Sequence, residues 1–251
     1  MVGYFGIRRY NQYMKSIFFV FLFFMQSLLF AQEDSQLSKA TIAAMFPPTL
    51  PSDVFDSPLE GFYEVALDTS VAYVSKDGKY IIQGDLYSID NQENLTDRRR
   101  GGIRVNMLNT VDRSKTIIFS PEESVRYRVS IFTDVDCGYC RQFHRDIDQV
   151  LAMGIEVEYF FFPRTGPNTE SWFKAQSVWC SENQKEALTT AKTTGSIGET
   201  SCFGAPVANH FDLGQRMGIR GTPAIFSQDG QELGGYLTPQ MLLARLEGIT
   251  R

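Results

Sequence analysis

Basic residues are fewer than acidic residues, and this argues against nucleic acids as partners. The 24 lysines and arginines are outnumbered by 29 aspartates and glutamates, for a formal net charge of -5 at pH 7. Residues 1–31 hold three basic residues and no acidic ones, so the rest of the chain carries -8. One basic cluster, "DRRRGG" at residues 97–102, fits a solvated linker. Because polyanion binding depends on basic charge, we expect no nucleic acid among the partners.

Long apolar runs are also missing, apart from one near the start. Residues 17–30 read "IFFVFLFFMQSLLF", with Lys15 before them and Ala31 and a polar, acidic stretch after them. The run is short of the ~20 residues that a spanning helix needs, and it suits the core of a secretory signal peptide. We predict a signal peptide at residues 1–31, cleaved after Ala31; an uncleaved membrane anchor is the alternative.

Cysteine is scarce, and the spacing of the four residues limits their roles. Cys137 and Cys140 form a C-x-x-C pair, whereas Cys180 and Cys202 are far apart in the sequence. In an exported chain an even number of cysteines is typical of disulfides. A zinc site would need a second close pair, so we predict no metal. Redox chemistry and an inert crosslink at the C-x-x-C pair both stay open.

Two patterns divide the rest of the chain. Residues 32–93 alternate apolar and polar residues, with "KDG" predicting a hairpin turn and "DLYSI" a further strand. A short helix is expected within "SQLSKATIAAMF", ended by Pro47 and Pro48. This predicts a small α+β domain of ~60 residues, a size that is marginal for a domain standing alone.

Residues 94–120 predict a linker helix and connector with a weak point. Gly101 and Gly102 lie in the middle of this helix and cost ~2 kcal/mol relative to alanine. Residues 121–251 then alternate strands and amphipathic helices, which predicts an α/β layer fold. Trp172 and Trp179, seven residues apart on one predicted helix, are expected in its core.

The C-x-x-C pair lies where a strand should end and a helix begin, in "FTDVDCGYCRQFH". Unpaired N–H groups and the helix dipole favour an anion there, so Cys137 is expected to be the nucleophile. Cys140, one turn later, is placed to attack a mixed disulfide formed by Cys137. A bridge between Cys180 and Cys202 would stabilise the fold by roughly 3 kcal/mol.

Charged neighbours of the pair are weaker candidates. His144 is expected on a similar helix face, where its protonated form would stabilise a thiolate, although a packing role is favoured. Asp134 and Asp136 would raise the pKa of Cys137. Arg164 in "FPRTG" is a candidate counter-charge, with a solvated loop arginine as the favoured alternative.

Several motifs together resemble one family. "FTDVDCGYC" followed by "FH", the strand end "FFPRTG", the cysteines in "VWC" and "SC", and "GIRGTPAIF" are similar to thiol:disulfide interchange proteins of the DsbC type, with DsbG as a neighbour. "DGKYIIQGDLYSI" resembles the N-terminal dimerisation domain of that family, and "ENLT" the start of its linker helix.

The resemblance implies a thioredoxin fold with an inserted helical segment, preceded by a small cystatin-like α+β dimerisation domain and a linker helix. It implies a periplasmic homodimer without a cofactor. Such proteins reshuffle wrong disulfides in misfolded clients, act as chaperones, and are kept reduced by a membrane thiol reductant of the DsbD type.

The resemblance also implies which residues form the site, by their positions in the matching motifs. Cys137 attacks and Cys140 resolves, while Gly138 and Tyr139 between them tune the redox poise. The remaining assignments are a cis bond and substrate contacts at Thr222 and Pro223, and a structural disulfide between Cys180 and Cys202. Alternatives are a DsbG-like reductase and chaperone, or a dithiol oxidase. The extra N-terminal domain disfavours a simple monomeric oxidase, and Gly138 with Tyr139 favours DsbC over DsbG.

Overall fold

The computed structural model describes residues 36–249, so the predicted signal peptide lies outside the described residues. These residues form a four-stranded sheet, a small two-stranded sheet and a five-stranded sheet, and one long helix precedes the last of these in the chain. Within this range, no helix combines the length and apolar character needed to cross a membrane. The domain borders at residues 93 and 120 stay a prediction.

The first sheet has four antiparallel strands, each paired with the next in the chain. The elements in order are α1 (Lys39–Ala44), β1 (Val54–Asp56), β2 (Phe62–Leu67), β3 (Ser70–Ser75), β4 (Ile81–Gln83), β5 (Tyr87–Ser88), β6 (Glu93–Asn94) and α2 (Leu95–Leu108). Helix α1 ends before Pro47 as predicted. The predicted hairpin is confirmed, since Val74 pairs with Ile81 and Gly78 has φ +73° in the turn. The strand expected in "DLYSI" is only β5, which pairs with β6 outside this sheet.

The five-stranded sheet has the strand order β11, β10, β8, β9 and β7. Its strands are β7 (Ile117–Phe119), β8 (Tyr127–Thr133), β9 (Ile155–Phe161), β10 (Ala224–Ser227) and β11 (Glu232–Gly234). Strands β8 and β9 are parallel, and the other neighbours are antiparallel. The helices are α3 (Gly138–Arg145), α4 (Ile147–Ala152), α5 (Glu170–Cys180), α6 (Gln184–Thr194), α7 (Val207–Arg216) and α8 (Pro239–Ile249). The predicted alternation of strands and helices is confirmed.

Neighbouring residues of β8 face two apolar clusters on opposite sides of this sheet. Ile131 belongs to a cluster that also holds Trp172 and Trp179, which are buried as predicted. Phe132 belongs to the other cluster, which packs against Met107 and Leu108 at the end of α2. Because both faces of β8 are buried, the turn after it holds the start of α3 in a fixed place.

Helix α2 runs unbroken through Gly101 and Gly102, so the glycine pair does not interrupt the helix. Packing gives the reason. A Cβ atom at Gly101 would meet the carbonyl oxygen of Asp229 at 2.6 Å, in the turn between β10 and β11. One turn later, Arg104 donates to the carbonyl oxygen of Gly230 at 3.3 Å. The missing side chain therefore lets α2 lie directly against the hairpin of β10 and β11.

This packing predicts opposite effects for the two glycines. Gly101→Ala is expected to lower the free energy of unfolding by about 1–3 kcal/mol, because the new methyl group overpacks the turn. Gly102→Ala is the matched control, since a Cβ there meets no described atom within 4 Å. It should stabilise the helix by up to ~1 kcal/mol. Denaturant unfolding of both variants checks this, and equal stabilisation by both would contradict the docking of α2.

Candidate active site

Cys137 lies at the start of α3, in the turn that follows β8. It is the N-cap residue, and its carbonyl oxygen accepts the N–H of Arg141 at 3.0 Å. Its own N–H donates to the carbonyl oxygen of Asp134 at 3.2 Å, which closes the turn. The sulfur therefore sits beside the unpaired N–H groups and the positive dipole end of the helix, which favour a thiolate.

Both thiols are free, and both residues are buried, with exposures of 2% for Cys137 and 1% for Cys140. The thiol of Cys137 donates to the carbonyl oxygen of Thr222 at 3.2 Å, across 85 residues of sequence. The peptide bond between Thr222 and Pro223 is cis. The fold thus brings the cis-proline loop directly against the sulfur at the helix start.

The pKa of Cys137 is lowered from its usual value to about 5. The largest cause is a hydrogen bond from the Cys140 thiol, and burial opposes it. The Thr222 side chain beside the sulfur also lowers the pKa. The N–H of Cys140 and the charge of Arg164 act in the same direction.

The pKa of Cys140 changes in the opposite direction. Burial, followed by the bond that its thiol donates to Cys137, raises the pKa of Cys140 far above the usual thiol value. At neutral pH one sulfur is therefore a thiolate and the other a thiol. Since the thiolate is the nucleophile in disulfide exchange, the geometry distinguishes an attacking sulfur from a resolving one.

A buried carboxylate, Asp134, holds the turn before Cys137. It accepts hydrogen bonds from the Ser171 hydroxyl, from the N–H of Asp136 at 2.9 Å, and from Arg164 Nε at 3.0 Å. Burial pushes the pKa of Asp134 up, but these bonds outweigh it and the pKa is lowered. Arg164, expected as a loop arginine, is thus fixed where its charge stabilises the Cys137 thiolate.

Asp136 was expected to raise the pKa of Cys137, and the structure does not bear this out. Its carboxylate accepts from Lys174 Nζ at 2.9 Å and from Arg141 Nη2 at 3.3 Å. Two cations compensate its charge, and the pKa of Cys137 is lowered all the same.

His144 has the packing role that the sequence favoured. Its ring nitrogens bond with the Tyr159 hydroxyl at 3.0 Å and the Thr189 hydroxyl at 2.9 Å. Burial, with help from the charge of Lys192, lowers the pKa of His144 to about 3. A neutral imidazole adds no positive charge for a thiolate.

The two residues between the cysteines lie at the surface. Tyr139 is 67% exposed, and its ring stacks on Tyr236 with centroids 6.0 Å apart. Gly138 is exposed beside it. The aromatic pair lies at the mouth of the site; the tuning of redox poise by Gly138 and Tyr139 stays a prediction.

Cys180 and Cys202 are joined by a disulfide with their Cα atoms 5.5 Å apart. The bridge ties the end of α5 to the loop before α7.

Within residues 36–249, no three His, Cys, Asp or Glu side chains are grouped to hold a metal ion.

Comparison with known proteins assigns both halves of the chain. Residues 117–250 match the model of a thioredoxin-like domain, and residues 29–97 match a disulfide bond isomerase N-terminal domain. The thiol:disulfide interchange protein DsbC of Escherichia coli strain K12 is 30% identical over 229 residues, which cover 90% of this chain and 93% of that protein. The chain belongs to the DsbC family. It is a thiol:disulfide interchange protein with a thioredoxin fold.

Two further matches are a curated relative and a solved structure. DsbC of Haemophilus influenzae is 33% identical over 191 residues, covering 76% of this chain and 81% of that protein. A crystal structure of a disulfide interchange protein from Neisseria gonorrhoeae aligns with a TM-score of 0.48 at 26% identity, over 55% of this chain and 97% of that one.

Some residues around the thiols of this DsbC family member were not predicted from the sequence. Ser171 and Lys174 on α5 hold the two aspartates of the turn, and Lys192 on α6 is buried. A signal existed for Lys192, because it follows the apolar Leu188 by four residues on one helix face.

The lowered pKa of Cys137 predicts how its alkylation depends on pH. Above about 5 the sulfur is a thiolate, so the rate with iodoacetamide should rise through pH 5 and level off by neutral pH. Cys140→Ala removes the largest stabilising bond and should move this midpoint up by about one to two pH units. Cys140→Ser, which keeps a donor, is the control and should shift it less. An unchanged midpoint in Cys140→Ala would contradict the role of that bond.

Proposed function

We propose that this protein is a periplasmic protein disulfide isomerase that reshuffles incorrect disulfides through Cys137 and Cys140. The observation that carries the proposal is the contrast between the sulfurs: a stabilised thiolate at a helix start and a buried thiol one turn away. Membership in the DsbC family supports it.

In the proposed reaction, the Cys137 thiolate attacks one sulfur of a client disulfide. A mixed disulfide forms, and the other client sulfur leaves as a thiolate. That thiolate attacks elsewhere in the client, and the rearranged client finally displaces Cys137. If rearrangement stalls, Cys140 attacks the sulfur of Cys137 and releases a reduced client, which leaves the active-site pair oxidised.

Thr222 and Pro223 are proposed to bind the client. Beside Cys137, the backbone at Thr222 is placed to pair with an extended client strand. The cycle needs a reduced dithiol, which a stabilised thiolate favours, and a membrane thiol reductant of the DsbD type is proposed to restore it.

A homodimer is proposed from the edge of the first sheet. Within the described residues, β4 is paired only with β3, and its other edge is free. Large apolar side chains are exposed on this strand and in the residues on either side of it in the chain: Tyr80, Ile81, Ile82, Tyr87 and Ile89. A free apolar edge is suited to pairing with a second copy, and the cleft between two copies would hold unfolded clients as a chaperone does.

The test is recovery of activity by an enzyme whose disulfides have been scrambled, in a glutathione redox buffer. The mature protein should speed this recovery above the buffer alone. Trapping of thiols in cells is the second measurement, and the pair should be found reduced. A resting pair found oxidised, with rapid oxidation of reduced clients, would indicate a dithiol oxidase instead; reduction of clients without recovery would indicate a DsbG-like reductase.

A further inference from the structure

A lysine is buried behind the two active-site thiols. Lys192 on α6 is 2% exposed, and it shares the inner face of this helix with small and apolar residues: Ala187, Leu188 and Ala191. Burying an ammonium group is costly unless it is paired, and an apolar side chain would fill the same space without that cost. A role in the chemistry of the thiols would explain why a lysine is buried at this position.

The hydrogen bonding of Lys192 leads to Cys140. Lys192 Nζ donates to Thr133 Oγ1 at 2.7 Å, and among residues 36–249 it forms no ion pair with a carboxylate. Thr133 is the last residue of β8, and its hydroxyl also lowers the pKa of Cys140, as a donor to the ionised sulfur. One hydroxyl thus connects the amine to the thiol, in a place that bulk water does not reach.

We propose that Lys192 accepts the proton of Cys140 when Cys140 attacks the mixed disulfide, with the Thr133 hydroxyl as the relay. This inference rests on the proposed function, because it assumes that Cys140 is the resolving thiol. Lys192 starts the step as a neutral amine. The S–H bond of Cys140 breaks, and an N–H bond forms on Lys192, which becomes an ammonium. The new thiolate attacks the Cys137 sulfur, and the client leaves as a thiolate. The ammonium then stands beside a neutral disulfide and loses its proton to solvent.

Electrostatic attraction between the two charged forms lowers the free-energy cost of this transfer. Burial lowers the pKa of Lys192, and a thiolate at Cys140 raises it. Burial raises the pKa of Cys140, and an ammonium at Lys192 lowers it. Each charged form is thus stabilised by the other, and transfer inside the pair adds no net charge to the interior. If the Cys140 thiol instead lost its proton to distant water, a net negative charge would remain in the interior.

The other titratable groups that face this pair do not replace it as the base. They are, by element, Asp134 after β8, Cys137 and Arg141 at the start of α3, His144 on α3, and Tyr159 on β9. The carboxylate oxygens of Asp134 already accept hydrogen bonds from the Ser171 hydroxyl and from Arg164 Nε. His144 is bonded to hydroxyl groups at both ring nitrogens.

The experiment follows both sulfurs in one reaction with Ellman's reagent. The reduced protein first releases one thionitrobenzoate as Cys137 attacks, and then a second as Cys140 resolves the mixed disulfide. Stopped-flow absorbance gives both rates as a function of pH. In Lys192→Met the second phase should slow by about a hundredfold near neutral pH, the size expected for loss of a positioned base. The deficit should shrink as pH rises, because hydroxide then removes the proton, and the first phase should change little.

Controls separate this role from a structural one. Lys185→Met makes the same change on the exposed side of α6 and should leave both phases unchanged. Lys192→Met should not lower the free energy of unfolding, since it replaces a buried amine with an apolar side chain of similar length. If Lys192→Met does not fold, Thr133→Val removes the relay hydroxyl and should slow the second phase in the same pH-dependent way.

Two failures are distinguishable. A second phase that also occurs in Cys140→Ser, or a missing first phase, would refute the proposed function. A Cys140-dependent second phase with the same rate and pH profile in Lys192→Met or Thr133→Val as in the unmodified protein would overturn the role of Lys192 alone.

Discussion

Cys137→Ser is expected to reduce the recovery of a scrambled client to the level of glutathione buffer alone, whereas Cys140→Ser should retain part of the activity. The physical reason is the division of labour between the sulfurs. Cys137 has a pKa of about 5 and is a thiolate at neutral pH, while burial keeps Cys140 protonated. A serine hydroxyl is not ionised at this pH, so no mixed disulfide forms.

Partial activity of Cys140→Ser follows from the reaction itself. Rearrangement within a bound client needs one attacking thiolate and one leaving sulfur, both of which remain when Cys137 is intact. Clients that stall are no longer released, so mixed disulfides at Cys137 should accumulate and be visible on a non-reducing gel. Rescue by the Cys137→Ser variant at the wild-type rate would refute the assignment of the nucleophile.

Folding of both variants is the necessary control. The disulfide between Cys180 and Cys202 lies outside the C-x-x-C pair, so each variant should contain a single free thiol after mild reduction that spares the structural disulfide. Thermal unfolding followed by circular dichroism should show one cooperative transition for each. If activity is lost while this transition is unchanged, the loss is caused by the missing thiol and not by unfolding.

Ile82→Lys is expected to convert the proposed dimer into a monomer. Ile82 lies on the free edge strand β4 and is 45% exposed in one chain. Covering its side chain contributes about 1.5–3 kcal/mol, and a lysine adds the cost of desolvating a charge. Since two such sites meet in a symmetric pair, the dissociation constant should rise at least about a hundredfold, on a scale of 1.4 kcal/mol per tenfold.

Light scattering over a range of concentrations measures this change. Phe203→Lys is the matched control, because Phe203 is a fully exposed apolar residue in the loop before α7. It should leave the mass unchanged. The monomer should still alkylate at Cys137 with the same pH midpoint, because the site is built within one chain. A dimer that persists in Ile82→Lys would place the contact elsewhere.

Features that depend on local pattern were predictable from the sequence. The C-x-x-C pair at the start of a helix depends on a strand, a turn and a helix that follow each other directly, so its position could be predicted. Trp172 and Trp179 were predicted in the core because helical periodicity is local as well. The free edge strand at Ile82 is part of a hairpin with a clear turn signal.

The fold class, the family and the different roles of the two thiols could therefore be predicted from the sequence, whereas the surroundings of the thiols depend on tertiary contacts. Gly101 was misjudged because its contact, Asp229, lies in the other half of the chain. Asp136 was expected to act on Cys137, but Lys174 is brought beside it from α5. Lys192 comes to Thr133 across 59 residues. Charges and close contacts act through space, so only the folded chain reveals which of them reach the thiols.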